Sequence, residues 1–301
     1  MRKLLLVVCL GLSIASCKRK EAKTAGEPVS RTAGEVTLLV DESFSNIVDD
    51  QIEVFRSDYP DAHIKLVTGN EQRILPTFLN DSVRVMISSR MLTDEEQKRY
   101  TNRSIPVRTS RFAIDGIALI TSNDNPDSTI TAAEVIAILK GNSTSKRSLV
   151  FDNAYSSTVR YFKELAQINT LPKDGVYTLE TNDDVIKYIE NNKGFIGVVG
   201  VNWLLSKNAD RGELTKKVKL MGVKALPGKK GDDQFYQPTQ EHLISGKYPF
   251  LRNVYIINGE GKQGVGTGFA NWLVSQRGQL IVLKSGLGPH KMMPREFNLK
   301  N

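Results

Sequence analysis

The sequence has few of the residues that most often carry catalysis or bind metals. Its 301 residues include two cysteines and three histidines. The histidines, His63, His242 and His290, lie far apart and lack the spacing of metal ligands, and the chain has no Gly-x-Ser-x-Gly motif. These absences argue against a metalloenzyme or a serine hydrolase, so no metal, cofactor or catalytic residue is expected. Beyond the N-terminal region, no apolar run is long enough to span a membrane as a helix.

The N-terminus has the layout of a secretory signal. Arg2 and Lys3 precede an apolar run over residues 4–12, and the small residues 14–16 then lead to Cys17. This pattern resembles the lipobox of bacterial lipoproteins, in which the cysteine sulfur is acylated. We therefore expect a signal peptide over residues 1–16 and a lipid anchor on Cys17, at the periplasmic side of the inner or outer bacterial membrane. An ordinary signal peptide with a chance cysteine is the alternative.

The composition after the anchor indicates a tether followed by a globular region. Residues 17–35 are polar and are expected to form a flexible tether. The formal net charge is +8, which suits nucleic acid, anionic lipid or an anionic ligand as a partner. Export and the dispersed placement of the basic residues argue against nucleic acid. Loss of Cys9 with the signal leaves one cysteine, so no internal disulfide can form.

Short apolar segments alternate with amphipathic ones along the rest of the chain. This alternation predicts an α/β fold with mainly parallel sheets. Strands are expected at residues 36–40, 63–67, 83–87, 112–121, 149–151, 176–179, 195–199 and 254–257. The Gly-rich loop over residues 264–268 is expected to lead into one helix over residues 269–283.

Three turns after expected strands are rich in hydroxyl groups. Open α/β sheets bind ligands where strands end and helices begin, because helix starts offer free N–H groups. The first turn, residues 41–45, contains Ser43, and the second, residues 88–90, adds Arg90, whose guanidinium suits phosphate or carboxylate. The third, residues 152–158, has three consecutive hydroxyl residues at a helix start. Helix capping and a surface arginine are the alternatives at these positions.

An ordered set of segments resembles a known family. The segments are Ser88-Ser89-Arg90 and residues 114–120, 123–126, 131–141, 156–158, 195–197, 248–249, 266–269 and 276–279. Together they are similar to the phosphate-binding proteins of high-affinity phosphate ABC transporters. The resemblance implies a two-lobed, type II periplasmic-binding-protein fold, each lobe a mixed, mainly parallel sheet flanked by helices. Residues 36–115 and 251–301 would form lobe one and residues 116–250 lobe two, with crossing strands at 112–121 and 249–257.

The resemblance also implies a ligand set, with three departures from the family. Relatives have Ala-Ser-Asp at the second turn, where the aspartate accepts a proton from phosphate, and an arginine where this chain has Asp152. They also have Ser-Gly-Thr at the third turn, where Ser157 replaces the glycine. We therefore hypothesise that arginine and aspartate have exchanged lobes; Asp41 and Asp115 are alternative proton acceptors. The expected phosphate ligands are Ser43, Phe44 (through its N–H), Ser89, Arg90, Asp152, Ser156, Ser157 and Thr158.

The function implied by the resemblance is capture of inorganic phosphate without catalysis. The expected partners are phosphate, the membrane subunits of an ABC permease and the lipid anchor's membrane, and the protein is expected to be a monomer. Three alternatives stay open: a binding protein for sulfate, molybdate or a small organic phosphate, a secreted phosphohydrolase, and a sensor or adhesin that has lost transport.

Overall fold

A computed structural model describes residues 30–205 and 209–291. The expected signal peptide, Cys17 and most of the expected tether lie outside these residues. Within them, no helix is both long enough and apolar enough to cross a membrane.

The described elements alternate between strands and helices, as the apolar pattern predicts. Towards the N-terminus they are β1 (Gly34–Asp41), a 3₁₀ turn (Glu42–Phe44), α1 (Ser45–Asp58), β2 (Ala62–Gly69), α2 (Glu71–Leu79), β3 (Val85–Ser88), α3 (Asp94–Asn102), β4 (Arg108–Ser122), β5 (Thr129–Thr131), α4 (Ala132–Leu139), β6 (Ser148–Phe151) and α5 (Ser157–Ala166). The remainder are β7 (Val176–Thr178), α6 (Asn182–Asn191), β8 (Phe195–Gly200), α7 (Val201–Leu204), α8 (Ala209–Thr215), β9 (Val218–Leu220), β10 (Gly222–Lys224), α9 (Gln240–Ser245), β11 (Leu251–Asn258), α10 (Val265–Leu273), α11 (Gln276–Lys284) and β12 (Gly288–Pro289).

One long strand joins the two halves of the sheet. The strand order is β2-β1-β3-β11-β4-β8-β6-β7. β1 pairs in parallel with β2 and β3, and β6 pairs in parallel with β7 and β8. β4 pairs with β11 up to Gly116 and with β8 from Ile117, both antiparallel. We call the part built on β1, β2 and β3 lobe one and the part built on β6, β7 and β8 lobe two; the exact division of the chain stays a prediction.

Local sequence signals account for how several helices begin. Thr93 and Glu96 form a reciprocal capping box at the start of α3. Thr131 caps α4 by accepting the N–H of Glu134. Along α1, Val48, Ile52 and Phe55 lie on one face and are buried against the sheet, so the helix register follows from the apolar spacing.

The C-terminal helix prediction is wrong in two respects. α10 begins at Val265, inside the expected Gly-rich loop, and the structure has two helices, α10 and α11, where one was expected over residues 269–283. The chain breaks at Val274 and Ser275, and the Ser275 hydroxyl accepts the N–H of Gly278 to cap α11. A serine inside an apolar pattern offers this alternative to helix continuation.

Candidate anion-binding site

The turns after β1 and β6 meet between the lobes. Asp41 ends β1, and its Oδ1 accepts the N–H of Ser43 at 3.0 Å. This bond leaves the Ser43 hydroxyl unused as a helix cap, and α1 begins after Phe44 without any side-chain cap. The Ser43 hydroxyl lies 3.4 Å from the Ser157 hydroxyl at the start of α5. The first and third predicted turns are therefore brought together from opposite lobes.

The start of α5 divides its three hydroxyl groups between two tasks. Ser156 caps the helix by accepting the N–H of Val159, and it donates to Asp152 Oδ1 at 2.6 Å. Ser157 and Thr158 are buried, and the Ser157 hydroxyl faces Ser43 of lobe one. The capping interpretation therefore holds for Ser156, while the next two hydroxyls stay available for other partners.

The cation between these hydroxyls is Arg252, which the sequence analysis missed. Arg252 Nη1 donates to Ser157 and Thr158 at 3.3 and 3.1 Å, and Nε donates to Asp115 Oδ2 at 2.9 Å. Its guanidinium carbon lies 4.7 Å from the centre of the Phe44 ring. The side chain is 2% exposed, and Nη2 has no hydrogen-bond partner among the described residues. A buried guanidinium with unused donors is suited to an anion.

A glycine makes room for this guanidinium. A Cβ on Gly200 would lie 2.7 Å from Nη2 of Arg252. The next helix, α7, contributes Asn202, whose N–H donates to Asp115 Oδ1 at 3.1 Å and whose amide donates to the carbonyl of Ser43 at 2.9 Å. The ion pair of Arg252 with Asp115 is thereby held in place and connected to the turn after β1.

The second predicted turn lies outside this cluster. Arg90 forms two bonds to Glu96, at 2.7 and 2.8 Å, and a third to the carbonyl of Met91. The Ser89 hydroxyl accepts a bond from Arg160 at 2.9 Å. The structure therefore does not bring Arg90 to Ser43 and Ser157, because lobe one supplies its own carboxylate for this guanidinium.

The carboxylates of the site differ in what they contact. Both Asp115 oxygens accept bonds, from Arg252 and Asn202, and both Asp152 oxygens accept bonds, from Ser156 and Asn182. Burial raises the pKa of Asp152 to about 7, against the opposing effects of Ser156 and Arg252.

Asp41 is the exception. Oδ2 of Asp41 is buried and has no hydrogen-bond partner among the described residues. Its charge is close enough to contribute to the raised pKa of Asp152. Asp41 therefore retains one oxygen for a hydrogen-bond donor, whereas Asp115 and Asp152 do not.

The position of Arg252 had a weak sequence signal. On β11, Arg252, Val254 and Ile256 alternate on the buried face. A charged residue in phase with buried aliphatic residues indicates an internal ion pair or a ligand site. The return strand over residues 249–257 was expected, whereas the position of Arg252 on its buried face was not.

No group of three or more His, Cys, Asp or Glu side chains in residues 30–205 and 209–291 is placed to hold a metal ion. What the described residues bring together is one buried guanidinium, three hydroxyls and two helix starts, which are groups of the kind that can hold an anion.

Comparisons with known proteins agree with this architecture. The family model described as "PBP superfamily domain" matches residues 25–277. The chain belongs to this family, and its α/β, two-lobed type II fold is confirmed.

Similar proteins cover most of the chain. It is 21% identical over 294 residues to the phosphate-binding protein PstS of Pseudomonas aeruginosa, covering 87% of this chain and 85% of that protein. A putative phosphate ABC transporter substrate-binding protein from Clostridium perfringens, solved with bound phosphate, has a TM-score of 0.69 at 20% identity, covering 86% of this chain and all of the other. An ABC-type phosphate transport receptor from Vibrio cholerae has a TM-score of 0.64 at 18% identity, covering 85% and 100%. At these identities the structural likeness establishes the fold.

Proposed function

We propose that this protein captures inorganic phosphate between its lobes and delivers it to the permease of an ABC transporter. The observation that carries the proposal is the buried Arg252. Its Nη1 donates to Ser157 and Thr158, its Nη2 has no partner among the described residues, and Ser43 of lobe one lies 3.4 Å from Ser157. The phosphate-binding and phosphate-transport names of the similar proteins support the same ligand. Those relatives are binding proteins, so capture rather than catalysis is the proposed activity.

The proposed ligand set revises the one expected from sequence. Ser43, Ser157 and Thr158 would donate hydroxyl hydrogen bonds, and Phe44 and the first residues of α5 would donate backbone N–H bonds. Arg252 takes the role assigned to Arg90, because its guanidinium lies among these groups while that of Arg90 is bound to Glu96. Ser156 and Asp152 would hold the start of α5 in position, and Ser89 would accept the bond from Arg160 beside the site.

Asp41 is the proposed acceptor for a proton on the bound anion. Its free oxygen distinguishes it from Asp115 and Asp152, whose oxygens already accept bonds. Phosphate carries a proton at neutral pH and sulfate does not, so a buried acceptor disfavours sulfate by leaving two negative oxygens face to face. This proposal replaces the hypothesis that arginine and aspartate have exchanged lobes. The proton acceptor is now Asp41 on lobe one, and the cation is Arg252 on β11.

The location is proposed from the N-terminal pattern. The signal peptide would be removed before Cys17, and that cysteine would carry the lipid. The protein would then be a monomer at an extracytoplasmic membrane face, where it can present its ligand to a permease. A tether of about 13 residues before the first described residue would allow a root-mean-square reach of about 20 Å.

Calorimetry on mature protein freed of bound anion tests the ligand. We expect tight binding of phosphate and little heat with sulfate, molybdate or a small phosphate monoester. Tight binding of another oxyanion with none of phosphate would contradict the proposal, and phosphate release from a monoester would indicate a phosphohydrolase instead.

A further inference from the structure

A second contact joins the lobes beside the anion cluster. Arg160, one turn into α5 on lobe two, donates from Nε to Glu71 Oε1 at 2.7 Å and from Nη2 to the Ser89 hydroxyl at 2.9 Å. Glu71 is in the first turn of α2, and Ser89 follows β3, both on lobe one. We propose that Glu71, Ser89 and Arg160 form a latch that holds the lobes closed and sets how long a captured anion stays bound.

Lobe one holds the acceptor side of the latch in position. Glu71 is 6% exposed, and its other oxygen accepts a bond from the Ser88 hydroxyl at 3.3 Å. Nε of Arg90 lies 3.6 Å from the same Oε1 that binds Arg160. Arg90 is itself fixed by Glu96. The arginine of the second turn therefore orients the latch carboxylate, which gives it a structural role away from the anion.

Lobe two supplies the donor side on the helix that also carries the anion site. Ser157, Thr158 and Arg160 all lie in the first turn and a half of α5. Any lobe movement that brings Ser157 to Ser43 brings Arg160 to Glu71 as well. Closure over the anion and closure of the latch are therefore one rigid-body event.

The latch lines a cavity between the lobes. A cavity of about 610 Å³ is lined from lobe one by Glu71, Gln72 and Leu75. Its lobe-two lining includes Ser156 and Arg160. The paired side chains thus face both the cavity and the start of α5, so opening the cleft on this side separates them.

Removal of one partner of the ion pair should destabilise the closed state by more than the intact pair stabilises it. Glu71 is buried in the structure, and burial raises its pKa, with a further increase from the charge of Asp41, despite the opposing charges of Arg160 and Arg90. Removing Arg160 would leave Glu71 buried with only the more distant guanidinium of Arg90 in the closed state. The closed state would lose stability relative to the open one, in which water can solvate the carboxylate.

The test compares Arg160→Gln with Glu164→Gln. Glu164 accepts a bond from the same guanidinium at 2.9 Å, but it lies on the same helix as Arg160 and is 64% exposed. The Glu164→Gln substitution therefore removes an ion pair of Arg160 without removing a contact between the lobes. We expect Arg160→Gln to raise the phosphate dissociation rate by about tenfold or more, measured by stopped-flow displacement, and Glu164→Gln to leave it within about twofold. Glu71→Gln and the double variant complete a cycle that should show coupling.

Small-angle scattering separates this inference from the proposed function on which its phosphate readout rests. We expect wild-type protein with ligand to be compact and Arg160→Gln to expand under the same conditions. If phosphate does not bind but Arg160→Gln is more expanded than wild type and Glu164→Gln, the latch stands and the ligand assignment fails. Three outcomes would each overturn the latch. Arg160→Gln could release phosphate at the wild-type rate, or Arg160→Gln and Glu164→Gln could have equal effects. The third is a wild-type protein that is as expanded as Arg160→Gln both with and without phosphate.

Discussion

Replacing Arg252 with lysine tests the centre of the proposed site. Lysine keeps the positive charge beside Asp115, which is completely buried. Alanine would leave that carboxylate uncompensated, at a cost of about 3 to 5 kcal/mol in folding stability, and would confuse folding with binding. Lysine removes the planar fork, and with it both Nη1, which contacts Ser157 and Thr158, and the free Nη2.

The expected loss follows from the donors that disappear. A hydrogen bond to a charged group contributes about 1.5 to 3 kcal/mol. Arg252 offers the anion up to two such donors, and an ammonium group held near Asp115 recovers part of one. A net loss of about 2 to 3 kcal/mol corresponds to phosphate binding about 30-fold to 150-fold weaker.

Arg90→Lys is the matched control, because it makes the same chemical change at the arginine predicted from sequence. We expect its phosphate affinity to stay within about threefold of wild type, because its guanidinium is bound to Glu96 rather than to the anion and because lysine keeps a positive charge near the latch carboxylate of Glu71. Titration calorimetry measures both affinities, and thermal melts verify that Arg252→Lys folds. If Arg252→Lys binds like wild type while Arg90→Lys loses most of its affinity, the anion lies at the second turn and the present site is misplaced.

Two further predictions concern the buried carboxylates. Burial raises the pKa of Asp152 from 3.8 to about 7. Between these two pH values the folded protein keeps a proton on Asp152 that the unfolded chain has lost. Folding stability should therefore fall as the pH rises from about 4 to 7. Asp152→Asn should flatten the dependence of melting temperature on pH between 5 and 8 and raise the melting temperature at pH 8; an equally steep decline in the variant would argue against this burial effect. Asp41→Asn should lower the ratio of phosphate to sulfate affinity by about tenfold or more, because the amide donates where the carboxylate accepts, and an unchanged ratio in calorimetry would remove Asp41 as the proton acceptor.

Local patterns predicted most of the fold because they act within one element. The capping box at Thr93 and the apolar face of α1 depend on residues three or four positions apart. The split between α10 and α11 was missed because Val274 and Ser275 sit in an otherwise apolar, helix-compatible pattern. Whether a serine continues a helix or starts a new one depends on what the flanking turns pack against.

The site was predicted in part for a related reason. Ser43, Ser157 and Thr158 were found because they lie where strands end and helices begin, a rule that links local structure to binding. Arg90 also lies where a strand ends, yet its guanidinium binds the carboxylate of Glu96, six residues later in the chain. Neither capping nor strand position reveals which neighbour a long side chain will contact.

The alternation of strands and helices, the family and the hydroxyl-rich turns could all be predicted from the chain, because periodicity and capping are short-range. Which cation lies beside those hydroxyls, and what the other arginines contact, depends on how the chain folds in three dimensions. Arg252 lies 95 residues from Ser157 along the chain, and Arg160 lies 89 residues from Glu71. Such contacts arise when β4 and β11 bring the two lobes together, and their partners are selected by burial and charge rather than by spacing.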